Sequence, residues 1–85
     1  MSGHMAALAA ALGGTSPFDE PHVEAVVRGT AQQRGIKPGT LIHAVRVALT
    51  GRTASPGLFE VMVLLGREET IARMNRLLTF LASRN

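Results

Sequence analysis

At 85 residues the chain has room for one domain. It contains no cysteine, so neither a disulfide framework nor a thiolate zinc site can hold it together. The formal net charge is +3, and of the 9 basic residues only Lys37 is lysine; this Arg-dominated set suits phosphates and base edges, because a guanidinium offers a planar fork of donors. The aromatics besides histidine are Phe18, Phe59 and Phe80, which excludes a stacking platform of the RRM or OB type.

No apolar run reaches membrane-spanning length, and Met1 to Met5 carries no Lys or Arg before Ala6 to Leu12, unlike a signal peptide. The expectation is a soluble, cytoplasmic protein with no membrane partner. Ser2-Gly3-His4-Met5 resembles the residue of tag cleavage and a cloning site. Ala6 to Leu12 is Ala-rich enough for one or two helical turns, and Gly13-Gly14-Thr15-Ser16-Pro17 has linker composition. Residues 1–18 are therefore expected to be a cloning remnant and flexible linker, and residues 19–85 the folded domain.

The first strong helix begins near Asp19 to Pro21, with Asp19 or Glu20 as cap and Pro21 in the first turn. Val23, Val26, Val27 and Thr30 have the spacing of one buried stripe, and Glu24 and Arg28 are placed for a helical ion pair. Gly35 ends this helix as a left-handed cap. After the turn Lys37-Pro38-Gly39, Thr40 is expected to cap a second helix running to about Thr50. Its inner positions are Leu41, Ile42, Val45, Ala48 and Leu49, and Gly51 stops it. Arg52-Thr53-Ala54 is a loop. Ser55-Pro56 then reads as a helix start, with Ser as cap and Pro in the first position. The third helix covers about Gly57 to Leu65. Its run Val61 to Leu65 is apolar almost all round, which predicts burial on most sides. Gly66 closes it. A last helix from about Arg67 to Ala82 has Glu68 and Glu69 in its first turn and an inner stripe of Ile71, Met74, Leu77, Leu78 and Leu81. Arg73, Arg76 and Arg84 fall mainly on other faces. No segment alternates like a strand. The fold class is all-α, a small bundle of about four helices with short loops.

For catalysis the chain offers no cysteine nucleophile and no Gly-rich loop before a Lys-Ser or Lys-Thr pair. Asp19-Glu20 and Glu68-Glu69 sit at helix starts, where dipole capping accounts for them. His22 and His43 lie on different helices without the converging ligands that zinc needs. The expectation is no enzyme activity, no metal and no cofactor in this chain. Nucleic acid remains. Arg46 lies between Val45 and Val47, where it either snorkels to solvent or meets a partner. Arg52 is in a loop and Arg67 starts the last helix. Positions 46, 52, 55–58 and 67 are expected to cluster at one end of the bundle.

The string RVALTGRTASPGLFEVMVLLGREE, from Arg46 to Glu69, with the approach Arg34-Gly35-Ile36-Lys37-Pro38-Gly39, is similar to the C-terminal region of bacterial-type glutamyl-tRNA synthetases. The likeness covers about residues 19 to 83, and its four elements stand in the family's order and distances. It implies the distal helical subdomain of the family's anticodon-binding cage, which reads the second and third anticodon bases. It places Arg46 near the third base, and Ser55, Pro56 and Leu58 near the second and third. Gly57, lacking a side chain, would let a base approach the backbone, and Arg52 and Arg67 complete the expected tRNA-binding set. The family often has Thr where this chain has Ser55, and Pro or another small residue where it has Ala44 and Val45. The resemblance further implies glutamate tRNA, and possibly glutamine tRNA, as partner, together with preceding synthetase domains. ATP would belong to the parent enzyme's Rossmann-type domain. The alternatives are a free-standing tRNA-binding or regulatory relative of this domain, or a helix-turn-helix DNA-binding or protein-interaction module built on the turn at Gly35 to Gly39.

Overall fold

A computed structural model describes residues 2–51 and 57–83. Among the described residues the elements are α1 (Ser2–Gly13), α2 (Glu20–Gln33), α3 (Pro38–Thr50) and α4 (Leu58–Ser83), with no strand. This is the all-α bundle that the periodicity predicts, but its helices are divided differently.

The largest difference is at the N-terminus. Residues 2–13 are a helix, and Met5, Leu8, Ala9 and Leu12 are buried in the core. These positions follow the i, i+3, i+4, i+7 pattern of one buried stripe. The helix packs on α4 and α2. The connection after it is equally ordered: Thr15 is buried and its Oγ1 donates to the Ala11 carbonyl at 2.9 Å. The segment expected to be a flexible linker thus supplies a wall of the core. Without it the stripes of α2 and α4 would face water.

Helix α2 begins as expected. Asp19 has extended backbone, and its carboxylate accepts from the His22 N–H at 3.0 Å. Val23, Val27, Thr30 and Ala31 are buried, with Val26 half-buried against the core. Glu24 and Arg28 pair at 2.8 Å on the outer face. Gly35 and Gly51 both take positive φ, 70° and 69°, and terminate α2 and α3.

Helix α3 starts three residues earlier than its expected cap, at Lys37, and Thr40 does not cap it. Pro38 occupies the first turn; its ring fixes a helical φ and disfavours helical geometry at the residue before it. Thr40 therefore lies inside the first turn, where its N–H donates to the Lys37 carbonyl at 3.0 Å. Leu41, Val45 and Leu49 are buried, and the helix is unbroken at Ala44 and Val45.

Gly66 divides α4 into two arms, 58–65 and 67–83. At φ 85° and ψ 164° it occupies a region essentially closed to residues with a Cβ. The break corresponds to the expected closure of one helix and start of the next. It lets Leu58 and Met62 on one arm and Met74 on the other face the same core. The arms are joined by buried Thr70, whose Oγ1 donates to the Met62 carbonyl at 3.1 Å. Burial of the run Val61 to Leu65 is one-sided rather than all round: Met62 is fully buried, whereas Leu64 is 79% exposed. A short arm packed along one flank has only one face to bury. No helix among the described residues is long and apolar enough to cross a membrane.

Candidate nucleic-acid interface

The expected site residues converge only in part. Arg46 lies on α3 and is half-buried; its carbonyl accepts from Thr50 Oγ1 at 2.7 Å. One turn later Gly51 closes the helix, donating its N–H to the Val47 carbonyl at 2.8 Å. Gly57, ahead of α4, is exposed. The Gly57 carbonyl accepts the first helical bond of α4, from the Val61 N–H at 3.1 Å. The N–H groups ahead of that bond have no acceptor within the helix, the usual condition of a helix start, and they carry the positive end of its dipole. Arg52, Ser55 and Pro56 lie outside the described residues.

Leu58 and Arg67 are committed elsewhere. Leu58 is 2% exposed and belongs to the core, so its side chain supports the start of α4 instead of presenting a surface to a base. Arg67 donates through Nη2 to the Thr15 carbonyl, and its guanidinium sits 5.6 Å from the centre of the Phe18 ring. It ties the α1–α2 connection to the first turn of the second arm. That is structural anchoring.

Arg73, which periodicity places on another face, meets α3 instead. Arg73 donates through Nη1 to the Leu49 carbonyl at 2.8 Å and through Nε to Glu69 at 2.8 Å. Helix α3 has no basic residue in its last turn, so Arg73 supplies from α4 the cation that the negative end of the dipole favours. Arg76 approaches the same Glu69 carboxylate at 3.8 Å and is 70% exposed. The hydrogen bond from Arg73 is the main reason the Glu69 carboxyl is held below its ordinary pKa. The helical spacing of Glu69 and Arg73 is legible in the sequence; the docking of Arg73 on α3 is not. With Ala48, Leu49 and Leu77, the two arginines line a cleft of about 310 Å³.

No group of acidic, histidine or cysteine side chains able to hold a metal occurs among the described residues. The outward positions of α3, including Thr40, His43 and Val47, offer few base-reading groups for a duplex-DNA recognition helix.

Residues 2–78 match the family model described as "Anticodon binding domain". The chain belongs to the anticodon-binding domain family. Its similarity to curated glutamate–tRNA ligases is extensive. It is 49% identical over 67 residues to the Glutamate--tRNA ligase of Rhodopseudomonas palustris (strain BisB5), an alignment covering 79% of this chain and 14% of that protein. It is 37% identical over 83 residues to Glutamate--tRNA ligase 1 of Syntrophus aciditrophicus (strain SB), covering 98% and 18%. It is 51% identical over 59 residues to Glutamate--tRNA ligase 2 of Koribacter versatilis (strain Ellin345), covering 69% and 12%. The chain thus spans less than a fifth of the length of these relatives. The family match takes in residues 2–18, in keeping with the packing of α1 into the anticodon-binding fold.

Proposed function

We propose that this chain recognises the anticodon of tRNA as part of a glutamate–tRNA ligase, reading the second and third anticodon bases. The match of residues 2–78 to the anticodon-binding family carries this reading. The geometry supports it: a half-buried Arg46 on α3, the left-handed cap at Gly51, and the exposed Gly57 leading into a helix start lie in succession along one stretch of chain. A splayed single-stranded base presents its Watson–Crick edge to such donors. Gly57 has open space where a Cβ would be, so a base can approach the backbone there.

In this reading Arg46 meets the third base, and Ser55, Pro56 and Gly57 form the surface around the second and third. Arg52 assists from the loop. Leu58 acts indirectly, by fixing the start of α4. The partners are glutamate tRNA, with glutamine tRNA as a further substrate class, and the other domains of the ligase. ATP and glutamate bind outside this chain, in the cytoplasm. The isolated chain binds RNA weakly and with salt sensitivity, because one module neutralises few phosphates.

The test is aminoacylation of anticodon-variant tRNAs by the full-length ligase. Arg46→Ala is expected to cost about 1–3 kcal/mol, mostly for the correct third base. Arg46→Lys rescues incompletely, since a point charge lacks the planar fork. An unchanged ranking of the anticodon variants would refute the assignment of Arg46.

A further inference from the structure

The cleft between the end of α3 and the second arm of α4 has no part in the base-reading scheme above, and its chemistry is distinctive. Its floor is Ala48, Leu49 and Leu77, and two guanidiniums stand on it. Arg73 is fixed in place by the Leu49 carbonyl and Glu69, each at 2.8 Å. Those two bonds leave part of its five-donor fork unspent. Arg76 touches Glu69 only at 3.8 Å, beyond hydrogen-bond length, and is 70% exposed, so its donors remain available. Two cations share one carboxylate, leaving a net positive charge.

The negative end of α3, which would repel an anion, is partly capped. The Arg46 carbonyl accepts from Thr50 Oγ1, the Val47 carbonyl from the Gly51 N–H, and the Leu49 carbonyl from Arg73. Leu49, in the floor of the cleft, is two residues from Gly51, the left-handed cap that closes α3.

We propose that this cleft is an accessory nucleotide subsite for single-stranded RNA. Arg76 and the unspent donors of Arg73 hold a backbone phosphate, and the apolar floor supports the attached sugar or base. The subsite rests on the anticodon-binding reading for its biological ligand and supplies affinity independent of sequence. It would anchor a nucleotide beside the bases being read, since phosphate contacts position while base contacts specify.

Two measurements on the full chain test this. The first is amide chemical-shift mapping with a short oligouridine. Shifts are expected at residues 48, 49, 73, 76 and 77; their absence there overturns the subsite. The second is fluorescence anisotropy with an anticodon stem-loop over a range of salt. Arg76→Ala is expected to weaken binding about fivefold at low salt. It should also flatten the salt dependence by about 0.7 log units per log unit, the share of one phosphate on a single strand. The loss should be equal across anticodon variants. Alanine suits the helix and Arg76 is exposed, so folding survives the change. If the stem-loop binds with anticodon preference but Arg76→Ala changes neither affinity nor slope, the subsite fails and the anticodon reading stands. If oligouridine shifts the cleft amides while the stem-loop shows no anticodon preference, the subsite stands and the anticodon reading fails.

Discussion

Removing residues 1–17 should abolish cooperative folding, and Leu8→Ala alone should remove a large part of the stability. Leu8 is completely buried, as is Leu12, and Met5 is 1% exposed. A buried Leu→Ala change costs about 2–5 kcal/mol, from the lost transfer term and the cavity left behind. A domain of 85 residues is stable by only about 4–13 kcal/mol at typical values per residue. Truncation loses Met5, Leu8 and Leu12 together. At about 1.5–3 kcal/mol for each buried side chain, that is roughly 5–9 kcal/mol, comparable with the whole stability. It also removes the Thr15 carbonyl that Arg67 grips. Urea denaturation and thermal melting followed by circular dichroism measure both variants. Leu8→Ala should lower Tm by at least about 8 °C, given roughly 4–8 °C per kcal/mol in a domain of this size. The reasoning is refuted if the truncated chain melts cooperatively within a few degrees of the intact one. Residues 1–18 would then be a dispensable linker after all.

Further expectations concern the break in α4, the anchor on α1–α2 and the helix cap. Gly66→Ala should destabilise by about 1–3 kcal/mol through backbone strain alone, since a Cβ there meets open space; denaturant titration measures it, and an unchanged midpoint would show that the kink can relax. Thr70→Val should cost about 1–2 kcal/mol by leaving the Met62 carbonyl without its partner, read from the same titration. Arg67→Met should lower stability while leaving anticodon preference unchanged in full-length ligase assays; altered preference would return Arg67 to the RNA-contacting set. The His22 N–H and ring beside Asp19 hold its carboxyl below the usual value of 3.8. The unfolded chain therefore binds the proton more readily, so the contribution of Asp19 is present above that value and lost as pH falls through the lower folded one. Asp19→Asn keeps a good cap but cannot titrate, so thermal melts of this variant should fall less steeply over the acid range.

Much of this architecture is legible in the sequence because it is local. Asp19 and Pro21 start α2, Gly35 and Gly51 stop α2 and α3, and Gly66 breaks α4, because capping and positive φ are properties of a few adjacent residues. The stripes Val23-Val27 and Leu41-Val45-Leu49 follow from the pitch of a helix. So does the Met5-Leu8-Leu12 stripe of α1, which the tag-like Ser2 to Met5 and the linker-like glycines that follow obscured. Thr40 was outweighed by Pro38, a local rule that dominates a side-chain cap. The fates of the arginines were not local. Arg46, Arg67, Arg73 and Arg76 are the same residue type on helices of similar pattern. What each one touches is set by which helix lies opposite, so only the tertiary structure sends Arg67 to Thr15 and Phe18 and Arg73 to the end of α3. Family membership could be read from the linear order of motifs, because homology preserves that order. Which cations are spent on holding the bundle together, and which retain donors for a phosphate, depends on distances of a few ångströms between segments far apart in the chain. Tertiary packing alone fixes those.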